Sequence, residues 1–237
     1  MKKLTRFSRS PYLREGGAAS VEFYIVSFFV FIPLLMAVLQ MGLFFVAKNT
    51  VNLATFAAAR AGAATGGDQT EMRKAFLRAV SPLYVGSGLA ALNRSDFTDI
   101  DRRNYPVVMG GALLAAGLNL PPDQIRVLNP TRASFTDFSV PKAGGGRIIP
   151  VTNILTDSRV GGSSRQTRSD ALLLKVEVQH CYHMIFPVID RMVSESLLLF
   201  NPLGPLADTS CYALRGVPIV SQAVVRMTNP PTQSNFP

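Results

Sequence analysis

From Phe23 to Ala47 the chain runs for 25 residues without a charged side chain. At about 1.5 Å per residue, a helix of that length reaches roughly 37 Å, enough to cross a hydrocarbon core of about 30 Å with some tilt. The next apolar windows, Val107–Leu120 and Cys211–Val225, are too short or are broken by Arg215. One membrane span is expected. Pro33 lies inside it and cannot donate to the carbonyl of Phe29, which predicts a kink.

Beyond Lys48 the pattern changes from uniformly apolar to small residues at helical spacing. Ala54, Ala58 and Gly62 recur at i, i+4 and i+8, and Ala57 and Ala61 repeat the interval. A helix continuing to about Ala64 would therefore carry a face that another element can approach closely, either a neighbouring helix or the chain's own sheet. Gly66 and Gly67 end it. A second, amphipathic helix is predicted from Asp68 to about Ser81, with Met72, Phe76, Leu77 and Val80 on one side and Arg73, Lys74 and Arg78 mostly on the other. A short helix is predicted over Val107–Leu118.

Gln124–Leu128, Leu172–Gln179, Cys181–Phe186 and Pro218–Met227 read as strands. In the second of these Leu172, Leu174, Val176 and Val178 share one face, and Leu173, Lys175, Glu177 and Gln179 share the other. One buried and one partly wet face imply an antiparallel sheet backed by a helix. Gly144–Gly146 and Ser158–Ser169 read as exposed loops. The expected fold class is α+β: a long N-terminal transmembrane helix continuing into a periplasmic domain with a small antiparallel sheet packed on helix.

Composition sharpens this picture. The 237 residues are 48% hydrophobic and 16% charged, with 24 basic against 15 acidic side chains, a formal net charge of +9. That balance excludes a disordered chain. Five basic residues, Lys2, Lys3, Arg6, Arg9 and Arg14, stand within residues 1–17 against Glu15 alone, while Lys48 is the one basic residue among the first dozen after Ala47. The positive-inside bias places the N-terminus in the cytoplasm and exports the rest. The apolar run is too long for a secretory signal, and its small residues, Gly16 to Ser20, precede it. A cut there would remove the basic leader and leave the anchor in place.

The segment Arg14-Glu-Gly-Gly-Ala-Ala-Ser-Val-Glu-Phe-Tyr and the apolar helix after it resemble the N-terminus of TadE-like proteins, pseudopilins of the tight-adherence (Flp-type) branch of type IV pili. In that family a prepilin peptidase cuts after a glycine, and a Glu-aromatic pair follows five and six residues later. The resemblance makes Gly17 the last leader residue, Ala18 the new N-terminus, and Glu22 with Phe23 the pair. A cut after Gly16 would put Glu22 six residues in and fits less well. Lys48–Gly62 resembles the asparagine- and alanine-rich helix that follows the anchor in such chains. Val127-Leu-Asn-Pro-Thr with Phe135, the run Leu172–Val178 into His180-Cys-Tyr-His and Pro187, and Pro218–Met227 are similar to blocks of a longer subgroup. Matches are sparse between Pro82 and Asp123.

The resemblance implies a minor pilin or pseudopilin that takes part in pilus assembly, divided into a leader (1–17), a transmembrane pilin-like helix (18–65) and a periplasmic α+β domain (66–237). It implies a bacterial inner-membrane location and, as partners, the prepilin peptidase, other TadE- or TadF-type pilins and the inner-membrane assembly platform. Glu22 would meet the free α-amino group of a neighbouring subunit and set axial register. A carboxylate at the edge of hydrocarbon is costly unless paired, although an interfacial Glu near a helix N-terminus is also favoured by the macrodipole.

The remaining chemistry is sparse. In a strand, Cys181 and His183 point one way and His180 the other, so no metal site is expected from them. G-x-S-x-G, H-E-x-x-H and C-x-x-C motifs are missing, Gly144-Gly-Gly-Arg lacks the Lys-Ser/Thr of a phosphate loop, and the two histidines sit in one strand. Neither a cofactor nor catalysis is expected. Cys181 has one candidate partner, Cys211, and an oxidising compartment favours a bridge between them. Removing residues 1–17 leaves +5, and Arg94, Arg102, Arg103, Arg126, Arg132, Arg147, Arg159, Arg165 and Arg168 read as a solvated basic surface on loops rather than a nucleic-acid site. Two alternatives stand beside the pilin reading: a membrane-anchored periplasmic scaffold that is never cleaved, and a membrane-anchored periplasmic enzyme.

Overall fold

A computed structural model describes residues 18–84, 110, 114, 125–142, 145–152, 157–184, 195, 211 and 216–236. The leader and, apart from Gly110 and Leu114, the helix expected over Val107–Leu118 lie outside the described residues.

The N-terminal helix begins as α1 (Ala18–Val26), passes through a π turn (Ser27–Phe31) and continues as α2 (Ile32–Thr65). The π turn ends two residues before Pro33, the position at which the sequence predicts a kink. Ile32 donates its N–H to the carbonyl of Ser27, five residues back, and Pro33 falls in the first turn of α2, where its missing N–H costs least. From Ser20 to Thr65 the helix is long and apolar enough to cross a membrane. Gly66, in the left-handed region at φ 70°, ends α2 as expected.

Helix α3 (Gln69–Val80) turns back along α2. Asp68 caps it, accepting from the Thr70 N–H at 2.8 Å, and its buried side chains are Met72, Phe76 and Val80. A 3-10 turn, Ser81–Tyr84, follows.

Three antiparallel strands form the sheet in the order β1-β4-β5: β1 (Ile125–Asn129), β4 (Leu173–His183) and β5 (Gly216–Arg226). Between β1 and β4 lie α4 (Arg132–Phe138), a small ribbon of β2 (Val140–Pro141) and β3 (Arg147–Ile148), and the single turn α5 (Arg168–Ala171). The two strands expected at Leu172–Gln179 and Cys181–Phe186 are one continuous strand through His183, because β5 pairs with all of it, from Leu173↔Arg226 to His183↔Gly216. The alternation is as expected. Leu174, Val176, Val178 and His180 are buried, while Leu173, Lys175, Glu177 and Gln179 are exposed or half-buried.

The segment Ser158–Ser169 is more ordered than a plain loop. Val160 bridges Thr167, and the Asp137 carboxylate accepts from the Ser163 and Ser164 N–H groups and from the Ser164 hydroxyl. These donors hold the Asp137 carboxyl below its usual range. Several arginines assigned to loops are likewise tied into the fold. Arg126 lies on β1, Arg147 donates to Ser139, Arg159 lies over the Phe138 ring, and Arg168 pairs with Asp157.

The lower half of α2 belongs to the domain's core. Ala47, Val51, Ala54, Ala58, Ala59 and Ala63 are buried with the inner face of the sheet and with α3. Residue 65 thus marks the end of the helix rather than a boundary of packing. Strand β4 runs antiparallel to α2: Leu174 meets α2 at Gly62, and Tyr182 meets it at Phe44. Eight residues of strand and eighteen of helix separate these contacts, roughly 26 Å and 27 Å, so the two elements stay in contact along their shared length.

Candidate functional site

The residues singled out in the sequence divide between the two ends of the long helix. At the N-terminal end, Ala18 is the first residue of α1, and Gly17 lies outside the described residues. No acidic residue falls in the first turn; Glu22 opens the second, exposed, beside the exposed Phe23 and Tyr24, whose rings stack edge to face at 6.2 Å. Every residue from Ser20 to Leu39 is exposed or half-buried, with Phe23, Phe28, Phe29 and Phe31 among the large apolar side chains presented outward. A helix that is apolar on all sides, with its side chains exposed or half-buried, suits a lipid environment.

At the C-terminal end of the helix the choice left open by the small residues is decided. Ala54, Ala58 and Gly62 face the chain's own sheet and α3. A Cβ on Gly62 would lie 2.5 Å from the Met72 sulfur and 2.9 Å from Leu174 Cδ2, so glycine is what lets three elements cross there. The opposite side of α2 is open and carries larger apolar groups, with Phe45 63% exposed, Leu53 65% and Phe56 46%. Arg60 lies over the Phe56 ring at 6.0 Å. Asn49 and Asn52 interrupt this stripe.

One contributor was not read from the sequence. Gln40, an amide within the apolar run, is only 3% exposed and its side chain lies beside Tyr182. With the Phe44–Tyr182 ring contact at 5.9 Å, it fixes the point on the helix where the domain begins. The signal was present, a polar side chain in an otherwise lipid-like segment, but the absence of charge up to Ala47 masked it.

Cys181 and Cys211 form a disulfide, with Cα atoms 5.8 Å apart, at the same end of β4. His180 is fully buried on the opposite side of the strand, between the Phe76 and Tyr84 rings, with Nε2 hydrogen-bonded to the Tyr84 hydroxyl at 2.5 Å. Burial, and secondarily the proximity of His183, lowers its pKa to about 4, so it is neutral at pH 7. Burial, with Tyr182 adding to it, pushes the Tyr84 phenol up. His180 is thus a core residue. Among the described residues, no three His, Cys, Asp or Glu side chains gather in a way that could hold a metal ion.

The family of TadE-like proteins matches residues 17–60, which covers α1, the π turn and most of α2. This N-terminal segment is TadE-like. The match begins at Gly17, one residue before the described helix, and takes in Glu22, Phe23 and the outward stripe as far as Arg60. It relates the chain to the tight-adherence pilus system and fits a single-pass membrane protein. The α+β domain that follows the TadE-like helix lies almost wholly outside the match. No curated protein and no solved structure gives a significant match to the chain.

Proposed function

We propose that this protein is a minor pilin or pseudopilin of a tight-adherence type IV pilus system, non-enzymatic and needing no cofactor. Its leader is removed by the prepilin peptidase after Gly17, leaving Ala18 as the mature N-terminus. The anchor lies in the bacterial inner membrane with the α+β domain in the periplasm. The observation that carries this reading is the coincidence of the TadE-like match at residues 17–60 with a continuous helix whose first half is exposed and apolar on all sides.

In this reading the helix leaves lipid for a bundle of other TadE- or TadF-type pilins on the inner-membrane platform. Glu22 pairs with the α-amino group of a neighbouring Ala18, and only one axial stagger brings those two charges together. The surface left for neighbours is the outward stripe of Phe45, Leu53 and Phe56, since the small-residue face is already occupied by the chain's own domain.

N-terminal sequencing of the membrane-extracted protein tests the processing step. Ala18 is expected in cells with the peptidase and Met1 in cells without it; Met1 in both removes the reading in favour of an uncleaved scaffold. Glu22→Ala is expected to leave the protein in the membrane and to abolish or strongly reduce piliation.

A further inference from the structure

The charged residues that bound the apolar run are further apart than a bilayer's hydrocarbon is thick. Glu22 and Lys48 are 26 residues apart on one helix, about 39 Å, against roughly 30 Å of hydrocarbon. About 9 Å of apolar helix must be accommodated either by tilting to about 40°, the upper end of what membrane helices show, or by standing in the interfacial layer. The packing of the domain decides between these. The domain packs on the helix as far up as Gln40, and immersing the helix to Ala47 would carry the Gln40 amide, the Tyr182 hydroxyl and the exposed end of β4 at His183 into hydrocarbon. Polar groups and strand ends are costly in lipid, where no water can hydrogen-bond them.

The aromatic residues mark the same level. Tyr24, exposed near the start of the helix, and Phe44, in ring contact with Tyr182, are 20 residues apart, about 30 Å. Tyrosine prefers the two membrane–water interfaces, where its ring is apolar and its hydroxyl is wet. The helix between these two aromatic levels is therefore the length of the hydrocarbon core, and the Gln40–Phe44–Tyr182 seam falls at its outer boundary.

We infer that the disulfide-bearing end of the domain is seated on the outer interfacial layer of the bilayer, with Phe45 and Val46 as its lipid-facing contact. This rests on the reading of the helix as a membrane span. The domain is not held clear of the membrane by a stalk, and the span ends near the seam rather than at Ala47.

The chain contains no tryptophan, so single substitutions report without background. Phe31→Trp, Phe45→Trp and Phe56→Trp are each made in the full chain at exposed positions. Each is reconstituted in phosphatidylcholine vesicles brominated near either the carbonyl end or the methyl end of the acyl chain. Phe45→Trp is expected to be quenched more by the shallow bromines than by the deep ones, a ratio above one, and to be partly open to acrylamide. Phe31→Trp should show the reverse ratio and resist acrylamide, and Phe56→Trp should respond to acrylamide alone. Deep quenching of Phe45→Trp equal to that of Phe31→Trp would place the span boundary at Ala47 and overturn the inference. Loss of all bromine quenching at Phe45, with that at Phe31 retained, would lift the domain off the bilayer and overturn it too. Absence of quenching at Phe31 would instead remove the membrane span itself. Val46→Trp repeats the shallow measurement should Phe45→Trp fail to fold.

Discussion

Thr228 donates both its N–H, at 3.1 Å, and its hydroxyl, at 3.2 Å, to the carbonyl of Ala63, a residue 165 positions earlier in the chain. The last turn of a helix leaves carbonyls without intrahelical donors. Here they are met by the C-terminal segment. Asn229 adds its N–H to Ala63 and its side-chain amide to Ala64, and Thr232 and the Asn235 amide donate to Gly66. The C-terminal segment is thereby joined to the foot of the long helix.

Removing part or all of that cap should be graded in its effect. Thr228→Val loses one hydroxyl bond and is expected to cost about 1 kcal/mol. Ending the chain after Met227 strips donors from three carbonyls and removes Phe236 from its ring contact with Phe135, and should cost about 3 kcal/mol or more. Urea unfolding of the full chain in detergent micelles, followed by circular dichroism, measures both.

Gly62 and Gly42 should respond oppositely to alanine. Helix propensity favours alanine at either by up to about 1 kcal/mol. At Gly62 the new methyl would overlap Met72 and Leu174, so a net loss of about 1–3 kcal/mol is expected. At Gly42 nothing lies within 4 Å, so Gly42→Ala should be neutral or slightly stabilising. An equal loss at both positions would contradict the three-way crossing.

The buried His180 makes stability depend on pH in a defined direction. Its folded pKa is about 4, below the roughly 6.5 of an unfolded chain, so between these values the unfolded state binds the extra proton. The contribution is fully present above pH 6.5 and is lost as pH falls through about 4, up to about 3 kcal/mol in all. His180→Leu with Tyr84→Phe, which removes both polar partners together, should flatten the unfolding free energy between pH 7 and 4.5 relative to the parent.

Reduction of the Cys181–Cys211 disulfide should destabilise the domain by about 3–4 kcal/mol through the loop of 30 residues that it closes. Urea midpoints with and without reductant measure the loss. Intact mass under non-reducing conditions should show no free thiol on the exported protein.

Much of this protein was legible as a sequence because its strongest signals are local. An uncharged run, a period of two in Leu172–Val178 and a glycine pair after Thr65 each act on neighbouring residues, and each predicts its element. The amphipathic face of α3 was readable for the same reason. The single strand from Leu173 to His183 was not, because its continuity comes from pairing with β5 more than thirty residues away. Small residues state that something can approach α2 closely but not what does; that required the sheet and α3 to be placed against it. Absence of charge likewise bounds a span from outside. Where the domain takes over from the exposed part of the helix was decided by Gln40 and Tyr182, which are 142 positions apart in the chain and meet only when β4 is laid along the helix.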